Sequence, residues 1–122
     1  MKILNGHKKA LNGSKVLVMG LAYKNDIDDY RESPSFKVIE LLEKNGAEVI
    51  VNDPYCPEAK YKGKKYYSVE WKEVIDDADI VVITTNHSCY EYDEIVDRSK
   101  VIYDTRNATK NVKLNREKIH KL

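Results

Sequence analysis

Three basic side chains stand where they could hold an anion. Lys24 and Arg31 lie within a charged stretch, residues 21–32, that runs into Ser33 and Pro34. Serine is a good N-cap, because its hydroxyl accepts an orphan backbone N–H, and proline suits the first helical position, where no donor is needed. A helix N-terminus carries free N–H groups and partial positive charge, so two cations beside one suit a phosphate. Arg106, in the polar run Asp104-Thr105-Arg106-Asn107, adds a guanidinium that can grip phosphate bidentately.

Other reactive residue types form no complete catalytic set. Gly20-Leu21-Ala22 opens like a dinucleotide fingerprint, but Asn25 stands at the third glycine of G-x-G-x-x-G, so the turn reads as Rossmann-like without being an NAD site. Asp53 ends an apolar run, where an acidic residue can hold a ribose hydroxyl, but a turn or cap role is the favoured reading. Asp26, Asp28 and Asp29 lack calcium-loop spacing and read as a solvated, helix-capping cluster. His7, His87 and His120 are far apart, and neither Cys56 nor Cys89 has a histidine at a catalytic spacing, which argues against a metal site. His87 has two open readings, a ligand contact or a loop-anchoring hydrogen bond. Residues 57–67 interleave four lysines with Tyr61, Tyr66 and Tyr67; single-stranded nucleic acid could bind such a run, but with no net basic balance a surface loop or short hairpin is the favoured reading.

The elements that must position these groups follow from hydrophobic periodicity. Residues 15–19 and 80–84 are unbroken apolar runs, as in strands buried on both faces of a parallel sheet, and residues 47–52 and 101–103 supply two more strands. Val38, Ile39, Leu41 and Leu42 give a helix after Pro34, ended by Gly46; Trp71, Val74, Ile75 and Ala78 give another over 68–77, with Ser68 as its cap; Tyr92, Ile95 and Val96 suggest a short third. The fold class is therefore α/β: a Rossmann-like three-layer domain with a mostly parallel sheet and helices on both faces. In such a sheet the ligand crevice lies beyond the carboxyl ends of the strands. That puts the loops at 21–32, 85–88 and 104–107 together, and Lys24 and Arg106 on one edge, as a clamp for a pyrophosphate or phosphosugar. Residues 1–14 read as a polar lead-in and residues 108–122 as a loosely packed tail.

A chain of 122 residues makes one domain. Its 21 Lys plus Arg against 20 Asp plus Glu leave a formal charge of +1, so nothing global draws it to nucleic acid or an anionic membrane. Two cysteines without C-x-x-C spacing, no membrane-spanning run and no signal peptide point to the cytoplasm.

The string GLAYKNDIDDYRESPS, followed by LLEKNGAEVIVNDP and DTRNATKNV, resembles the carboxyl-terminal UDP-sugar-binding domain of the UDP-glucose/GDP-mannose dehydrogenase family. The IDDYRESP version, the T-x-H-x-x-Y-x-Y run from Thr85 to Tyr92 and the DTRNATKNV segment are most similar to UDP-N-acetylglucosamine and UDP-N-acetylmannosamine 6-dehydrogenases. The resemblance implies an enzyme that oxidises the sugar C6 alcohol to a uronate with NAD, for polysaccharide biosynthesis, through a thioester-forming cysteine. It further implies an amino-terminal NAD domain and a central helical region outside this chain, and a homo-oligomer. On it, Lys24 and Arg106 contact the UDP-sugar, Tyr23 flanks that site, and Arg31 lies near the cofactor across the cleft. Cys56 and Cys89 match no catalytic position, so residues 15–122 are the binding domain of a longer or split enzyme, inactive alone, with residues 1–14 a linker or helix tail. The residues by themselves leave two alternatives: a free-standing nucleotide- or CoA-binding module, and a domain that serves mainly subunit packing.

Overall fold

The computed structural model describes residues 11–121. In chain order its strands are β1 (Lys15–Met19), β2 (Glu48–Asn52), β3 (Glu58–Tyr61), β4 (Lys64–Tyr67), β5 (Ile80–Ile83), β6 (Ile102–Asp104) and β7 (Ile119–Lys121). The helices are α1 (Ser35–Lys44), α2 (Trp71–Val74), which tightens into a 3-10 turn at Ile75–Asp77, and α3 (Tyr92–Arg98). A second 3-10 turn, Arg116–Lys118, leads into β7. Five strands form one parallel sheet in the order β2-β1-β5-β6-β7, and β3 pairs antiparallel with β4 as a separate hairpin. The molecule is thus the expected Rossmann-like parallel sheet layered with helices.

Alternation along the two innermost strands splits the core. Val16 and Val18 of β1 with Ile80 and Val82 of β5 join Phe36, Ile39 and Leu42 of α1 on one face. Leu17, Met19, Val81 and Ile83 join Trp71, Ile75, Ile95 and Val96 on the other. Both faces are dry, which is why these runs are continuously apolar. Trp71 is core, as expected.

Helix α1 starts and stops as its sequence dictates. Pro34 already has helical φ, −64°, and the Ser33 hydroxyl accepts the Ser35 N–H at 3.2 Å while donating to the Ala22 carbonyl at 3.2 Å. Gly46 closes the helix at φ +87°, with its N–H on the Glu43 carbonyl and the Ala47 N–H on that of Leu42.

Three expectations need correction. Ser68 does not cap the second helix: its hydroxyl accepts the Asp53 N–H at 2.8 Å, and the regular helix begins only at Trp71. The lead-in is not wholly outside the core, since Leu11 is 1% exposed and packs with α1; Ile3 and Leu4 lie outside the described residues. The tail is not loose: it adds β7, paired in parallel with β6, and buries Val112. Residues 57–67 form the short hairpin expected, and its lysines are largely committed, Lys62 to Glu40, Lys64 to Glu43 and Lys65 to Glu58, with Tyr61 stacked on Phe36 at 4.8 Å. The Lys62 and Lys64 charges therefore fasten the hairpin to α1, while Lys65 pairs within it. Among the described residues no helix is long and apolar enough to cross a membrane.

Candidate functional site

The connection from β1 to α1 begins with a glycine that nothing else can replace. Gly20 has φ +106°, and a β-carbon there would overlap the side chain and amide nitrogen of Thr85. The space at this turn is filled by the β5 loop, not left open for a pyrophosphate. The Thr84 hydroxyl donates to the Gly20 carbonyl at 2.6 Å and the Thr85 hydroxyl to the Ala22 carbonyl at 2.8 Å, so the loops after β1 and β5 are laced together.

Asp53, at the end of β2, anchors the same loop. One carboxylate oxygen accepts the N–H groups of Leu21 and Ala22 at 2.7 and 2.9 Å and lies 2.8 Å from His87 Nε2; the other accepts those of Tyr55 and Cys56. At 1% exposure, burial alone would raise this carboxyl, but the hydrogen bonds from His87, Leu21, Ala22 and Tyr55 outweigh it and hold the group below the ordinary carboxylate value. Every lone pair is engaged, so the turn role is the one found and a ribose has no place on it.

His87 is wholly buried and anchors the loop. Its Nδ1 accepts the Asp26 N–H at 2.8 Å. The Asp26 carboxylate in turn accepts the Ser88 N–H at 2.6 Å and the Ser88 hydroxyl at 2.5 Å, bonds that keep it below its ordinary range. The acidic cluster is exposed at Asp26 and Asp28 and half-buried at Asp29, and it does not cap α1, whose first-turn amides go to Ser33 and Pro34. That same capping closes the α1 N-terminus as an anion cradle, leaving side chains to do the work.

Arg106 follows β6, two strands away from β1. Its Nε donates to the Thr84 carbonyl at 3.1 Å and its Nη2 to the Tyr23 carbonyl at 3.3 Å, so the guanidinium reaches across the end of β5 to the loop that carries Lys24. Lys24 is exposed and enters no hydrogen bond or ion pair with a described residue; its ammonium lies 6.0 Å from the Tyr23 ring centroid. Tyr23 is 45% exposed. Arg31 does not join them: it forks onto Asp29 through Nε at 3.1 Å and Nη2 at 3.2 Å and lines a cleft of about 410 Å³ with Tyr23, Asp29 and Glu32.

Asp104 is the organiser that sequence reasoning passed over. It is 1% exposed and accepts the N–H groups of Arg106, Ala108 and Thr109 and the Thr109 hydroxyl. Burial opposes its charge, and these bonds again keep it below the ordinary carboxylate value. The signal was present as an aspartate at a strand end followed by Thr, Asn and Thr, residue types that close turns of this kind.

Nothing around either cysteine activates its thiol: burial raises both, Cys56 to about 12, and both are free. Among the described residues no group of three or more His, Cys, Asp or Glu could hold a metal ion.

Residues 17–111 match the model of the UDP-glucose/GDP-mannose dehydrogenase family, UDP binding domain. A UDP-N-acetyl-D-mannosamine dehydrogenase of Methanococcus maripaludis is 32% identical over 108 residues, 82% of this chain and 24% of that protein. The solved UDP-N-acetyl-mannosamine dehydrogenase of S. aureus superposes with a TM-score of 0.71 at 33% identity, covering 98% of this chain and 29% of that one. The UDP-glucose dehydrogenase of Pyrobaculum islandicum gives 0.73 at 28%, covering 98% and 27%. The chain spans about a quarter of the length of the curated relatives it matches.

Proposed function

Because this chain belongs to the UDP-glucose/GDP-mannose dehydrogenase family as its UDP binding domain, we propose that Lys24 and Arg106 grip the diphosphate of a UDP-sugar, with Tyr23 beside them. The observation that carries the reading is the reach of Arg106 to the carbonyl of Tyr23, which brings one guanidinium beside a loop whose ammonium, set over the Tyr23 ring, enters no hydrogen bond or ion pair with a described residue. Paired charges on a diphosphate are the strong kind of hydrogen bond.

The chain works within a longer cytoplasmic, homo-oligomeric dehydrogenase that oxidises the C6 alcohol of a UDP-N-acetylhexosamine or UDP-glucose to the carboxylate. A nicotinamide dinucleotide, NAD in this reading, supplies the hydride acceptor. The residues present here do not fit that cofactor at the β1 turn, where Thr85 fills the space beside Gly20 and Asp53 is saturated. Binding of the dinucleotide is therefore assigned to another segment of the enzyme. Arg31, exposed and paired only with its neighbour Asp29, is the residue offered to it across the cleft.

Titration of UDP into the 122-residue chain, followed by amide chemical shifts, tests the reading. Saturable shifts at residues 22–26 and 105–107 are expected, with Lys24→Ala and Arg106→Ala each raising Kd about 10- to 100-fold, the worth of a charge-assisted bond. An unchanged Kd in Lys24→Ala would remove that residue from the site. Tighter binding of CoA than of UDP would favour the free-standing module instead.

A further inference from the structure

Lys24 sits between two fixed points. Ala22 is held through its N–H by Asp53 and through its carbonyl by Thr85 and Ser33; Asp26 is held through its N–H by His87 and through its carboxylate by Ser88. His87 joins the two anchors, because its other nitrogen meets the same Asp53 oxygen that Leu21 and Ala22 use.

Only one protonation pattern of the ring fits. A nitrogen that receives a backbone N–H must offer a lone pair, so Nδ1 is bare and the proton sits on Nε2, donating to Asp53. The ring is wholly buried and packed with Tyr55, at a centroid distance of 4.7 Å, and Tyr90, at 5.7 Å. Asp26 pays for the bond with a left-handed backbone, φ +62°, a conformation that needs local support.

Resting on the UDP reading above, we propose that His87, supported by Ser88, is a positioning residue that sets where the Lys24 ammonium stands relative to Arg106. It touches no ligand itself. The essential feature is the bare Nδ1, which fixes the far side of the Lys24 bend.

The two amide side chains separate the functions of the two nitrogens. Asparagine at position 87 places an acceptor oxygen where Nδ1 stands but loses the donor to Asp53; glutamine places a donor where Nε2 stands but loses the acceptor. With UDP as the probe, His87→Gln is expected to raise Kd about three- to tenfold, the worth of one hydrogen bond, and His87→Asn to recover most of that loss. In the ¹⁵N-labelled wild-type chain, an N–H···N coupling between the Asp26 amide and the imidazole, with nitrogen shifts of the Nε2–H tautomer, is expected before any ligand is added.

Equal Kd values for the Gln variant and the wild type, or equal losses in Gln and Asn variants that track a common fall in Tm, would overturn the proposal. Should His87→Gln fail to fold, Ser88→Ala loosens the same latch at an exposed residue; a twofold or larger rise in Kd supports the proposal and no change overturns it. If the wild-type chain takes up no UDP, both readings fall. That outcome is distinct, because the coupling reports the His87–Asp26 bond without ligand.

Discussion

Asp53 and Asp104 carry charge in places that exclude water, and each is made tolerable by donors that converge on it. Both folded carboxyls lie below the value of an unfolded aspartate. A depressed folded pKa contributes stability that is fully present above the unfolded value and is lost as pH falls through the folded one. The chain should therefore hold its stability from neutrality down to about pH 5 and lose it progressively below, as an unperturbed aspartate begins to protonate there. Asp104→Asn separates this effect from the other acids. The amide keeps one acceptor and turns two hydrogens toward groups that are themselves donors, the Thr109 N–H and hydroxyl or the Arg106 N–H. A loss of about 2 to 3 kcal/mol at pH 7 is expected, with a shallower fall between pH 4 and pH 3 than in the wild type. Urea unfolding at pH 7, 4 and 3 measures both; parallel acid limbs in the two proteins would show that Asp104 does not carry the linkage.

Among the elements, the turn out of β1 is where a single methyl group should matter most. Gly20→Ala must both adopt φ +106° and displace Thr85, whose hydroxyl holds Ala22. About 2 to 5 kcal/mol is expected, and a change in unfolding free energy below about 0.5 kcal/mol would mean that the two loops part easily. Legibility in the sequence followed the same physics. β1, β5 and α1 could be read because burial on two faces or on one stripe writes a pattern several residues long, and Ser33, Pro34 and Gly46 mark the helix ends. β7 could not be read, because three half-exposed or exposed residues carry no period. The second helix was read too long because Ser68 looks like a cap, whereas its hydroxyl serves Asp53, fifteen residues earlier. At the site, Lys24 and Arg106 could be placed on one sheet edge because the loops of a parallel sheet's ligand crevice gather at the carboxyl ends of its strands. The Asp53–His87–Asp26 chain could not, because its three members are far apart in sequence and only the fold brings them to 2.8 Å contacts.

For the molecule as a whole, the sheet is firm at its middle and light at its margins, and the site hangs from the middle. β1 and β5 are paired on both sides and closed to water on both faces. β7 is an edge strand of three residues. The β3–β4 hairpin leans on α1 through exposed ion pairs, which solvent screening weakens, and through the stack of Tyr61 on Phe36. Opening should follow that gradient. In native-state hydrogen exchange the amides of Leu17, Val18, Val81 and Val82 are expected to exchange only on global unfolding, and those of β7 and the hairpin through smaller, local openings. The loop that carries Lys24 gives the sharper test, because it is exposed from Tyr23 to Asp28 and exposure alone predicts fast exchange throughout. Its anchors predict a split. Leu21 and Ala22, donating to buried Asp53, and Asp26, donating to buried His87, should be protected nearly as well as the strands, while Lys24 and Asn25 between them exchange freely. Uniformly fast exchange from 21 to 26 would mean that the loop moves as one flexible piece and the Lys24 ammonium has no set place before a ligand arrives. A protected pair of ends around a free Lys24 amide would mean that the fold offers the diphosphate a preset bend that fixes where the Lys24 side chain stands relative to Arg106, so that binding orders one side chain rather than a whole loop.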